Sequence, residues 1–208
     1  MNEEKLYLTL QKHVPVSALE YCFALWRSSP FTLKITKTRQ SKVGDFNSKR
    51  DVKHPQITLN HDLNPYLFLV TYVHEVAHLY VFLKYGNRVD PHGTEWKNAF
   101  KHLMSPILKP SIFPVEILHI LQDHMVNPKA SSFADADLTR AFRMFDKNAD
   151  QMLCLSDIPE GSIFQFQKRY FMKGKLKRTR IVCKEISSKR NYLIPAEVLV
   201  SNVQLSMM

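Results

Sequence analysis

Apolar and polar positions along the chain change their period several times, and each change marks an element. Through the first thirty residues Val16, Leu19, Tyr21, Cys22, Phe23 and Trp26 recur at mostly helical spacing. Pro15 suits a first helical turn, and Pro30 closes the run. From Phe31 to Thr38 the pattern becomes an alternation, with Phe31, Leu33 and Ile35 set against Thr32, Lys34 and Thr36, which predicts a half-buried strand. A turn-rich stretch around Gly44 follows, then a second strand at Gln56 to Asn60. Asn64-Pro65 opens a long apolar helix that reaches Leu83 and stops at Gly86.

After the loop Asp90-Pro91-His92-Gly93, Thr94 is placed to cap a helix ending near Met104. Two more helices are expected near Val115 to Met125 and Ala134 to Phe145. Beyond Leu153 the segments shorten and alternate: Ser162 to Gln167, Lys177 to Glu185 and Asn191 to Val200. Turn signals stand at Pro159-Glu160-Gly161 and Lys173-Gly174-Lys175. The expected fold class is α+β, a helical domain with a small sheet over residues 1–147 and a small basic β module over 148–208.

The 208 residues carry a net charge of +10. Residues 151–208 hold ten basic against four acidic side chains, a net +6 in under a third of the chain. Such a surface concentrates polyanions, of which nucleic acid is the usual one. No long apolar run follows the acidic N-terminus, so neither a signal peptide nor a membrane contact is expected, and the chain should stay in the cytoplasm. Cys22, Cys154 and Cys183 are far apart with no C-x-x-C pair, and read as reduced, buried side chains.

The chemistry lies in the long helix. In His74-Glu75-Val76-Ala77-His78 the two histidines sit four apart, about 40° from each other around the axis, and can share one ion. Glu75 lies about 100° from His74, near such an ion without being forced to bind it. This is the His-Glu-x-x-His pattern of zinc sites in which the carboxylate is general base. Two imidazoles and a carboxylate buried without partners among Leu69, Val70, Val73 and Leu79 would each cost several kcal/mol, and a metal removes that cost. A catalytic ion needs a third protein ligand and an open position. His92 follows the helix by a short loop, with Gly93 giving the backbone room to fold back; Glu95 and His102 compete with it. With three ligands, one Zn2+ per chain would polarise a substrate carbonyl while Glu75 takes a proton from water.

These residues, together with Arg39, Val43-Gly44-Asp45-Phe46, Ile57-Thr58-Leu59-Asn60 and Pro91-His92-Gly93-Thr94-Glu95-Trp96-Lys97, resemble the SprT-like metallopeptidases, the group that includes the DNA-protein crosslink protease Spartan. The resemblance covers roughly residues 15–105. It implies that His74, His78 and His92 are the ligands, that the fold is zincin-like, and that protein substrates on DNA are cut. Many relatives carry a four-cysteine zinc ribbon after the protease core. Here only Cys154 and Cys183 lie in that region, which is closer to the metal-free β module of bacterial SprT-like proteins.

Lys173, Lys175, Lys177, Arg178 and Arg180, just after Tyr170 and Phe171, are the candidate contacts to DNA: the cations would track phosphates while the rings stack on bases. A solvated hairpin with core aromatics is the competing reading. The acidic stretch from Asp146 to Asp150 with Asp157 has carboxylate spacing suited to calcium. Gln151 where a glycine is needed, and aspartate at the twelfth position, argue against it. His54, His61, His119 and His124 have no ligand spacing and read as surface or hydrogen-bonded residues, and Trp96 as a packing residue behind His92. The leading expectation is a zinc metalloendopeptidase. The alternatives are a noncatalytic DNA-associated or regulatory protein with structural zinc, and hydrolysis of a non-peptide bond.

Overall fold

The computed structural model describes residues 2–39, 42–47, 55–130, 135–146 and 153–206. The chain divides into two units, Met1–Phe145 and Asp146–Met208. The architecture is α+β: among the described residues, six α-helices with a small mixed sheet in the first unit, and a separate antiparallel sheet in the second. His54 and residues 147–151 of the stretch considered for calcium lie outside the described residues.

The N-terminal helical run is broken in two. Helix α1 (Glu3–His13) is capped by Asn2, whose side chain accepts from the Lys5 N–H. Pro15 then starts a short 3-10 turn (Val16–Ala18) that leads into α2 (Leu19–Ser28). Proline has no N–H to continue α1, so a second helix begins beyond it. Strand β1 (Thr32–Thr36) pairs in parallel with β3 (Gln56–Asn60). The other edge of β3 pairs antiparallel with β2 (Gly44–Asn47). The turn expected around Gly44 is therefore a strand. It has no alternating burial of its own, and forms because β3 offers it an edge.

Helix α3 (Pro65–Tyr85) runs through the core. The Asn64 carboxamide accepts from the Tyr66 and Leu67 N–H groups at 3.2 and 3.0 Å, and Pro65 stands where no N–H is needed. Gly86, at φ 62°, ends the helix. By length and composition alone α3 could cross a membrane, but most of it is buried among the other helices of its unit. Helix α4 (Thr94–Met104) starts one residue earlier in its cap than expected, because Gly93 occupies the cap position and Thr94 is the first helical residue. Helices α5 (Val115–Val126) and α6 (Ala136–Arg143) complete the unit, the latter capped by Asp135.

The second unit is a six-stranded sheet of order β4-β9-β5-β6-β7-β8. Its strands are β4 (Leu153–Cys154), β5 (Ile163–Phe166), β6 (Arg169–Lys177), β7 (Arg180–Glu185), β8 (Asn191–Pro195) and β9 (Leu199–Gln204). One face buries Phe164, Phe171, Ile181, Cys183, Ile194 and Val200. The turn expected at Lys173-Gly174-Lys175 lies inside β6, where the register with β7 shifts between Lys173 and Leu176. A Cβ on Gly174 would stand 2.6 Å from the Val182 carbonyl oxygen, so this glycine serves close backbone approach. The strand expected from Asn191 to Val200 splits into β8 and β9. Cys22, Cys154 and Cys183 are all free thiols and buried.

Candidate metal centre

His74 and His78 project from adjacent turns of α3, and the loop after Gly86 returns His92 to them. The three Nε2 atoms are 3.2 Å (His74–His78), 3.1 Å (His78–His92) and 3.4 Å (His74–His92) apart. Burial holds all three imidazoles below their usual pKa. That of His74 lies well below, with His78 and His92 adding to the effect, and that of His78 falls to about 4. Neutral rings whose nitrogens converge so closely bring lone pairs together, an arrangement that a shared cation relieves. A tetrahedral ion with bonds of 2.0–2.1 Å separates its nitrogen ligands by about 3.3–3.4 Å, so the spacing fits a metal. Among the described residues, these three histidines are the group able to hold a metal ion. Glu95 and His102 do not join it: the Glu95 carboxylate turns back over Gly93, and His102 is exposed on α4.

Trp96, fully buried on α4, braces the cluster. Its ring centroid lies 4.6 Å from that of His74, 5.4 Å from His78 and 4.8 Å from His92, and its Nε1 donates to the His74 carbonyl at 3.4 Å. His61 and His119 are exposed, whereas His124 is buried and meets Asp135 at 3.1 Å through Nδ1.

Glu75 is 6% exposed, and burial pushes its carboxyl up to about 8. Asp45 adds to the rise, while the Phe46 backbone N–H, which bonds the carboxylate, and the charges of Arg39 and Lys42 oppose it. Strand β2 therefore belongs to the site. A Cβ on Gly44 would fall 2.6 Å from both Glu75 Oε1 and Thr71 Cγ2, so only glycine lets β2 lie this close to α3. Arg39 fixes the approach of β2. Its guanidinium donates to Asn60 Oδ1 and Thr58 Oγ1, both at 2.9 Å, while Asn60 Nδ2 donates to the Arg39 and Lys42 carbonyls. The periodicity of α3 does not disclose the Phe46 contribution, because its donor is a backbone group. The glycine in Val43-Gly44-Asp45-Phe46 is its trace in the sequence. The histidines and Glu75 open onto a cleft of about 800 Å³ bounded by β2, the end of α3 and the 87–92 loop.

In the second unit Lys175, Lys177, Arg178 and Arg180 are exposed along β6, β7 and the turn joining them, with Arg178 at φ 57°. Lys173 is engaged otherwise: its ammonium donates to the carbonyls of Ser156 and Ile158 at 2.9 and 2.5 Å. Phe171 is fully buried in the module's core, so of the two rings only Tyr170 is exposed.

No curated protein and no solved structure matches the chain. Residues 18–119 match the SprT-like family. That stretch runs from the start of α2 into α5, and contains the three converging histidines, Glu75 and the strand that reaches it. The similarity to the SprT-like family therefore takes in the whole candidate metal centre.

Proposed function

We propose that the protein is a zinc-dependent metalloendopeptidase in which His74, His78 and His92 hold one Zn2+ and Glu75 is the general base, acting on protein substrates held on or near DNA. The observation that carries the reading is the meeting, in one open cleft, of three converging imidazoles and a buried carboxylate raised to about 8. Zinc held there supplies positive charge that polarises a carbonyl and acidifies water. Burial raises the Glu75 carboxyl and a neighbouring zinc charge would lower it again, so that with the ion in place Glu75 would accept a proton from the attacking water and return it to the leaving amine. The Phe46 N–H orients its carboxylate.

A peptide suits the cleft for a further reason. The Asn60 N–H donates to the Val43 carbonyl, and Gly44 pairs with Leu59. Antiparallel alternation then turns the N–H and C=O groups of Gly44 and Phe46 outward from β3, and the Phe46 N–H meets Glu75. An extended chain adding to this edge is delivered beside the general base. The openness of the cleft, and the lack of a fourth donor grouped with the histidines among the described residues, weigh against a purely structural ion. Changing Glu75 to Gln tests the reading. Cleavage of an unfolded protein substrate should drop by at least about 100-fold while one zinc per chain is retained. A variant that cleaves like the parent refutes it.

The nucleic-acid part rests on Lys175, Lys177, Arg178 and Arg180, exposed beside Tyr170. DNA affinity should fall steeply with salt. Replacing Lys175, Lys177 and Arg178 together by Glu should weaken it at every salt concentration; unchanged affinity removes this part.

A further inference from the structure

The cleft lining combines two unlike sets of side chains. Lys42 and Asp45 are polar and joined in an ion pair at 2.7 Å. The apolar set is Val81 and Phe82, where α3 continues one turn beyond His78, with Val89 and Pro91 of the return loop before His92. Phe46 of β2 joins the apolar set: its ring lies 5.8 Å from that of Phe82 and nearly parallel to that of His78, at 6.5 Å and 11°. Phe46, Phe82 and Val89 are only half-buried: Phe46 and Val89 pack against the edge of the unit's core and keep part of their surface accessible. Apolar surface left accessible inside a cleft marks a place where an apolar group is received.

We infer that the wall formed by Phe46, Phe82, Val89 and Pro91 is the specificity pocket, receiving one aliphatic or aromatic side chain of the substrate within two residues of the cleaved bond. The inference rests on the peptidase reading. Its distance limit comes from the geometry: the wall begins against the ring of His78, and an extended peptide advances about 3.3 Å per residue, so 6.5 Å spans about two residues. Lys42 and Asp45, which also line the cleft, neutralise each other. Among the described residues Asp90 is the remaining exposed acid of the lining, which makes a basic side chain the competing occupant.

The experiment is cleavage of a randomised peptide library by the zinc-loaded full chain, with products sequenced by mass spectrometry. Leu, Ile, Met or Phe should be favoured by at least about tenfold over charged residues at one fixed position within two residues of the cut. Val89→Asp and Phe82→Ser should erase that preference, with zinc content and circular dichroism unchanged. Since Phe82→Ser touches the end of α3, Val89→Asp in the loop is the decisive variant should Phe82→Ser unfold. A flat profile, a preference for Lys or Arg, or an unaltered profile in Val89→Asp overturns the pocket and leaves the peptidase reading intact. Failure of the zinc-loaded protein to cleave any peptide overturns both.

Discussion

Replacing Gly44 by Ala adds one methyl group at the point where β2 meets α3. Backbone strain is not at issue, because Gly44 is not among the residues with positive φ. The added Cβ would stand 2.6 Å from Glu75 Oε1 and 2.6 Å from Thr71 Cγ2. Ordinary contact begins near 3.4 Å, so about 0.8 Å must be found. Thr71 resists, since its hydroxyl is held by the Leu67 carbonyl at 2.7 Å. Either the Glu75 carboxylate swings aside or β2 backs away, and both stretch its bond to the Phe46 N–H. Misplacing a reacting group by about 1 Å costs on the order of 100-fold in rate, so kcat/KM should fall by roughly 10- to 100-fold. Stability should fall by at most about 2–3 kcal/mol. Overpacking costs about 1–3 kcal/mol, offset by about 0.4–1 kcal/mol from the stiffer unfolded chain. The assay is hydrolysis of a fluorogenic peptide, beside thermal unfolding and zinc content. Activity within threefold of the parent would refute the claim that β2 positions the general base.

Other expectations follow from the same contacts. In the metal-free protein Glu75 keeps its proton up to about pH 8, whereas the unfolded chain releases it near the ordinary 4.5. Stability should therefore decline as pH climbs from about 4.5 to about 8, by up to a few kcal/mol, and Glu75→Gln should remove that decline. Urea unfolding at pH 5 and pH 8.5 in chelator measures it; parallel behaviour of the two proteins contradicts it. The histidines act in the opposite sense. Their depressed affinity for protons means that the unfolded chain gains them first, so stability is lost as pH falls from about 6.5 toward the value of about 4 for His78. Zinc should leave over the same window, as a metal-release titration would show. Trp96→Phe should weaken zinc binding by about tenfold or more with the fold retained, because the indole packs on all three ligand rings. Unchanged affinity in a chelator competition would contradict this.

What the sequence disclosed was what local rules govern. Asn64, Pro65 and Gly86 mark α3 unaided, and the spacing of His74 and His78 needs only helical geometry. The return of His92 was legible from a short loop and Gly93. Strand β2 was not, because Gly44-Asp45-Phe46-Asn47 has no alternating pattern and exists through its pairing with β3 and the Arg39–Asn60 clamp. Strand β6 was obscured by Gly174, which resembles a turn signal but admits the Val182 carbonyl at a register shift. The role of Phe46 rests on a backbone donor that no side-chain pattern reveals, and the burial of Phe171 depends on the whole module's packing.

The central claim is that three imidazoles from two segments of chain converge on one metal ion. Metal analysis of the purified protein beside its His92→Ala variant tests it most directly. About one zinc per chain in the parent, with affinity collapsing in the variant while its circular dichroism is kept, is the predicted result. A parent without zinc after reconstitution, or a variant that binds it as tightly, would contradict the account.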